Sequence, residues 1–367
     1  MISHRAQRGT ALLAALMIVL IVLPVSAFVV FQARTDWQIE HNLHAAIEAF
    51  YVAEAGLAHA IDDIGPRVSY EALLDGPDRI PGTSDDGVFP FPEGAPAVFP
   101  HAPLHYDVRV ESAGNGLLRL VSTAAGAQQA IKVVEALVTR AALPFTPGAV
   151  YVAGDTSTFD LGNAGFQISG TDPSPLTSDV RSLPALAVSG ADVESDLRRQ
   201  LAPASGGQLS GAGSAPSIAT VSAFDLGPFA ATCESAATTL HVPAGSCNGD
   251  VVLGSAGMPQ LSIVDGDLTV DGHLDGTGVL VIQGTLQVTG QLTFNGVVMV
   301  AGAVICAPAS EVTVHGALWR AATQDGRLLF RGHGGITYSS SALAAVDTAF
   351  PDLFPHLPKV VGWQEPL

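Results

Sequence analysis

Four aspartates, Asp265, Asp267, Asp271 and Asp275, fall close together in the second half of the chain. Carboxylates on stacked turns could act as acid and base in glycoside cleavage. Asp265-Gly266, Asp271-Gly272 and Asp275-Gly276 are also ordinary corner dipeptides between strands, which is the preferred reading. A second acidic group, Asp75, Asp78, Asp85 and Asp86, lies on a Gly-rich loop. Ca²⁺ takes six to eight oxygens in flexible geometry, so this loop is a weak calcium candidate. It lacks the alternating Asp pattern and closing Glu of an EF-hand, and a solvated acidic turn is the plainer reading. His101 and His105 flank Pro103 with no evident third ligand, as in a surface loop. No G-x-S-x-G, Walker A or H-E-x-x-H pattern occurs. The expectation is no enzyme, no cofactor and no metal. Cys233 and Cys247 are near enough in sequence to close one disulfide loop, and Cys306 reads as a small core residue.

The element that carries most of these aspartates is a repeat. Glycine recurs at Gly266, Gly272, Gly278, Gly284, Gly290, Gly296 and Gly302, always six apart. Apolar residues follow two positions later (Leu268, Leu274, Leu280, Leu286, Leu292, Val298, Val304) and mostly four positions later, except at Gly276. Such a period predicts a β-solenoid over about 262–320, with glycine at its corners. The outward positions Val279, Val281, Val297, Met299, Ala303 and Ile305 are apolar too. Something must cover them: the irregular 170–232 segment, the 343–367 tail, or a partner subunit.

The N-terminus is basic through Arg5 and Arg8, and 11–31 then run without a charge. That length spans a bilayer core. Ile39, Leu43, Ile47, Phe50, Leu57 and Ile61 continue at helical spacing until Gly65-Pro66, predicting one helix over 10–65 interrupted only by Pro24. A secretory signal peptide cleaved near Ala27 and a plain signal anchor are the competing readings. The net charge of −18 gives no basic footprint for nucleic acid.

Gly9-Thr10 before the apolar run, followed by Ala49-Phe50-Tyr51-Val52-Ala53-Glu54-Ala55-Gly56-Leu57, resembles the PilX-type minor pilin family. The resemblance covers about 1–65 and rests on the cleavage site and the signature Ala53, Glu54, Ala55, Gly56, Leu57. It implies a leader over 1–9 cut by prepilin peptidase between Gly9 and Thr10, and amino-terminal methylation. It implies a single-pass inner-membrane helix, a periplasmic body later carried on a pilus at the cell surface, and other pilins and inner-membrane assembly proteins as partners. It also implies a helix packed on a small antiparallel sheet. Ala14 stands where most pilins carry a Glu that registers against a neighbour. Type IV pilus and type II secretion systems both fit; a pilus-displayed adhesin and a solenoid acting on polysaccharide are the alternatives.

Between these parts, 66–103 reads as a loop, and alternation from Tyr106 to Leu137 predicts an antiparallel meander. Tyr106, Val108 and Val110 share one face of the first run, Leu118 and Leu120 share one face of the second, and Ile131, Val133 and Leu137 lie in a third, with 112–116 as the first turn and the amphipathic half of the helix as the sheet's partner. The pilin-like region is expected to end at 143, a β-rich domain to fill 148–342 with a short helix near 193–201, and 343–367 to be a tail. The fold class expected is α+β.

Overall fold

The computed structural model describes residues 4–67, 69–89, 105–154, 158–162, 165–176, 180–201, 207–222, 224–236, 239–321, 326–351 and 353–366. The fold is α+β, with a long apolar N-terminal helix, an antiparallel sheet and a parallel β-solenoid. Two compact units form. One holds Met1–Gly65, Tyr70–Arg140 and Pro358–Leu367; the other holds Pro66–Ser69 and Ala141–Leu357. The larger unit is thus an insertion between the third and fourth strands of the smaller unit's sheet, and the 343–367 segment is no tail.

In the first unit α1 runs His4–Ile64 through Pro24. Strands His105–Gly114, Leu117–Ala125, Ile131–Arg140 and Pro358–Gln364 pair antiparallel in that order. The first turn is tighter than expected. Asn115 and Gly116 both have positive φ (54° and 72°), the conformation an Asn-Gly hairpin turn requires. Tyr106, Val108, Val110, Leu118 and Leu120 are buried as expected. The third strand buries the phase that does not contain Ile131, Val133 and Leu137. Val134, Ala136 and Val138 are buried while Ile131 is 66% exposed, because both phases of Ile-Lys-Val-Val-Glu-Ala-Leu-Val are apolar.

The helix face also differs from the expected stripe. Ile39 (60%), Leu43 (59%) and Ile47 (44%) are exposed. The buried face is made of small residues, Ala45, Ala49, Ala53 and Ala60, together with Val52, Leu57 and Ile64. A helix lined by alanine brings its axis closer to a sheet whose side chains are already large.

The second unit is a three-sided solenoid. Leu268 pairs in parallel with Leu286, and Leu286 with Val304, so one coil spans 18 residues, three of the six-residue units. The ten-residue strands His273–Ile282, Gln291–Val300 and Glu311–Arg320 each turn a corner at a glycine. Asp250–Leu253 pairs with the first half of His273–Ile282 and Gln260–Val264 with its second half, so the halves belong to different sides. Gly278, Gly296 and Gly316 form one corner column with φ of 133°, 130° and 140°. A Cβ on any of them would lie 2.0–2.1 Å from a carbonyl of the preceding coil. Both the backbone conformation and the close approach therefore demand glycine. The one break in the repeat, Gly276, is filled by the ring of Phe294 from the next coil.

The solenoid is longer than the glycine period. Val150–Val152 pairs with Leu318–Arg320, Leu186–Val188 pairs with Val150–Val152, and Ile218–Thr220 with Leu186–Val188. The segment expected to be irregular therefore supplies coils. The chain enters mid-stack, builds to one end, then returns to the other end through α3 (Gly227–Ser235). Seven inter-strand steps of ~4.8 Å make that return ~34 Å.

The returning segment covers the apolar outer wall. Phe229 of α3 lies 5.0 Å from Trp319, and Phe224 and Phe354 pack on the same indole at 5.6 and 6.2 Å. Trp319 donates its Nε1–H to Thr146 Oγ1 (3.1 Å). The helix α4 (Ser340–Ala349), capped by Ser339, buries Leu343 and Val346 over the ten-residue strands. Val297 and Met299 are thereby 0% and 3% exposed, so the body closes over this wall by itself.

Candidate functional site

The signature residues on α1 divide by direction. Ala53 (0%) and Leu57 (3%) are buried in the sheet-facing core, whereas Glu54 and Ala55 are half-buried at its rim. A Cβ on Gly56 would lie 2.4 Å from Ser122 Oγ and 2.9 Å from the Tyr106 ring, so glycine lets the sheet reach the helix here. One turn further, His59 Nδ1 and the Tyr106 hydroxyl are 2.7 Å apart. This motif is a docking seat rather than a reactive site. Sequence reasoning missed the seat's full length because it weighted Leu and Ile; Ala45, Ala49, Ala53 and Ala60 at four- and seven-residue spacing were the available signal.

Away from the sheet, α1 presents large apolar side chains that stay exposed among the described residues. Trp37 is 62% exposed, stacked on His41 at 5.3 Å, and Leu43, Ile47 and Tyr51 follow along the helix. Toward the N-terminus Leu13 to Phe31 are bare. By length and composition α1 can cross a membrane. Gly9 and Thr10 lie inside the helix.

The acidic loop is folded on its own backbone. The Thr83 hydroxyl lies 2.7 Å from Asp85 Oδ1, 3.3 Å from Asp86 Oδ1 and 3.4 Å from Asp78 Oδ1. Asp78 accepts from the Ile80 N–H (2.9 Å) and Asp86 from the Gly82 N–H (2.8 Å). The Thr83 hydroxyl, then the Asp78 N–H, hold the Asp85 carboxyl below the usual range. Asp75 takes no part in these contacts. Among the described residues no group of three or more His, Cys, Asp or Glu is arranged to hold a metal. His101 lies outside the described residues, and His105 is exposed at the start of its strand.

Each solenoid aspartate is committed to a neighbour. Asp267 Oδ1 accepts the Thr285 N–H (2.6 Å), and Asp271 takes the Ser246 and Thr289 hydroxyls, which hold its carboxyl below the usual range. Asp265 lies 3.3 Å from His241 Nδ1 and Asp275 2.7 Å from His273 Nε2. The contacts of Asp265, Asp267 and Asp271 tie one coil to the next, whereas that of Asp275 stays within its own strand.

The expected Cys233–Cys247 bridge is absent, and all three cysteines are free thiols. Cys233 is on α3, outside the solenoid wall. Cys247 is in register with the inward Val270, Val288 and Cys306, on the other side of that wall. Burial pushes the Cys233 and Cys306 thiols up to about 12, so neither offers a thiolate nucleophile.

No family model matches the chain, and no curated protein does. Among solved structures the chain is similar to the crystal structure of the competence-associated pilin ComZ from Thermus thermophilus. The identity is 12% and the TM-score 0.24, with 88% of this chain and 98% of that chain covered.

Proposed function

We propose that this chain is a PilX-type minor pilin-like subunit of a type IV pilus or related type II secretion system, with no catalytic activity. One observation carries the reading. A single 61-residue helix is bare and apolar from Leu13 to Phe31 and seats an antiparallel sheet through Ala53, Gly56 and Leu57 in its last third. The bare stretch serves first as inner-membrane anchor and then as the surface that other pilins pack on. Inner-membrane assembly proteins and prepilin peptidase are its other partners, and the body stands outside the cytoplasm. Ala14 offers no carboxylate to a neighbour's N-terminus, which suits a scarce subunit near a filament end.

Quantitative mass spectrometry of sheared filaments tests this. The mature chain should begin at Thr10, carry an N-methyl group and be present in trace amount. A start near Phe28 would indicate signal peptidase and sink the reading; abundance near that of the commonest pilin would remove the end-of-filament role.

A second reading, a pilus-displayed binding module, is favoured by the wet side of the solenoid. There Asp275, Thr293 and Thr313 stand in register on successive coils.

A further inference from the structure

The two ends of the solenoid are finished differently. At one end α2 (Ala191–Gln200) closes the stack. Its Leu197 is fully buried. Arg198 donates from Nη1 to the Pro216 carbonyl (3.3 Å) and from Nη2 to the Ile218 carbonyl (2.9 Å), meeting acceptors of the terminal strand. Gln200 Oε1 accepts the Phe159 N–H (2.6 Å), and Glu194 Oε2 accepts the Thr220 hydroxyl (2.6 Å).

The opposite end is the coil of Leu240–Val242, Gly245–Cys247 and Asp250–Leu253. Each strand is the last on its side, and among the described residues none pairs with its outer edge. Interior residues reach solvent there. Leu240 is 41% exposed, whereas Ser262, its partner in the next coil, is 1% exposed. Val242, Cys247 and Val251 are half-buried beside fully buried Val264, Val270 and Leu274. A repeat stack needs a polar cap at each terminus, and a bare strand edge is a template for another strand.

Charge selects among possible occupants. From 200 to 319 the chain has no Lys or Arg, while Glu234, Asp250, Asp265, Asp267, Asp271 and Asp275 gather toward the open end. A second copy meeting this end with its own would place like charges together. We propose that the open end docks an extended basic segment of another protein, added as a strand to the first coil. Side chains alternate along a strand, so apolar residues would cover Leu240, Val242 and Cys247 while Lys or Arg face Asp250, Asp265 and Asp271. Main-chain hydrogen bonds give such an addition its affinity and the alternating side chains its specificity.

The test titrates the full chain in detergent with a peptide alternating Lys and Val, and with its Glu/Val counterpart. The Lys/Val peptide should bind at least about tenfold more tightly, as a complementary charged rim requires, and lose affinity in high salt. Hydrogen exchange should slow at 240–253 and stay unchanged at 186–220. The triple variant Asp250→Lys, Asp265→Lys, Asp271→Lys should invert the preference; exchange of the wild type decides should that variant fail to fold. Equal binding of both peptides, no binding, or protection elsewhere overturns the proposal. Concentration-dependent dimerisation that protects 240–253 also overturns it and gives the end to a second copy. None of these outcomes bears on the N-terminal reading, which the filament experiment tests separately.

Discussion

The four-stranded sheet and the solenoid both need glycine, and for different reasons. On α1, Gly56 lets two elements approach, and what a Cβ there would strike is the Ser122 hydroxyl and the Tyr106 ring. Those are side chains, which can rotate away. At Gly316 a Cβ would strike the Gly296 carbonyl at 2.0 Å, in a chain already at a φ of 140°. A stacked backbone has nowhere to go, because each carbonyl is fixed by the coil beneath it. Tolerance is therefore set by what stands opposite the glycine rather than by how buried it is.

The largest expected effect follows at the corners. Gly316→Val should destabilise the solenoid by about 3–5 kcal/mol, through strained φ and overpacking together. Gly290→Val, with ordinary φ but a carbonyl at 2.1 Å, should cost less than Gly316→Val and more than Thr285→Val. Thr285→Val should stay within about 0.5 kcal/mol, as most surface changes do. Denaturant midpoints read the order, and equal shifts for Gly290→Val and Thr285→Val would break the corner assignment.

Gly56→Val should have a middle effect, about 1–3 kcal/mol, because the neighbours can yield. Hydrogen exchange should rise across 105–125 and stay flat across 261–320. Adding Ser122→Gly should recover part of the loss, and strict additivity of the two changes would show that the seat is not where the helix meets the sheet.

The smallest effect is with pH. Asp160 is held below the usual range by the Gly162 N–H and, after it, by Arg331, against a partial desolvation that pushes it up. A carboxyl depressed in the folded state stabilises fully above its unfolded value near about 4 and loses that contribution as pH falls through the folded value. Melting temperature should be level from neutral pH down to about 5 and then fall, less steeply in Asp160→Asn. An acid slope unchanged in that variant would remove Asp160 from the account.

How much of this was legible depended on whether a feature repeats. The coils around Gly278 and Gly296 announced themselves because the corner recurs every six residues. The coils at Val150–Val152, Leu186–Val188 and Ile218–Thr220 share no such period, so nothing marked them as continuing the same stack. The third strand of the small sheet could not be phased because Val133 and Val134 are equally apolar. The α1 face was misread because alanine carries little hydrophobic weight, although close packing favours it. The disulfide failed for a topological reason: adjacency in sequence said nothing of the wall that separates Cys233 from Cys247.

The mid-stack entry of the chain also sets a schedule. Val150–Val152 must wait for Leu318–Arg320 before one of its edges is paired, and Ile131–Arg140 must wait for Pro358–Gln364. Almost the whole insertion lies inside these two loops, so the most decisive pairings are also the most distant in sequence. Folding rates fall as contacts become less local, and closing such loops comes before their reward. A chain that emerges N-terminus first would hold one edge of Ile131–Arg140 and one edge of Val150–Val152 open until those distant partners arrive. Slow, late-completing maturation is thus written into the connectivity itself.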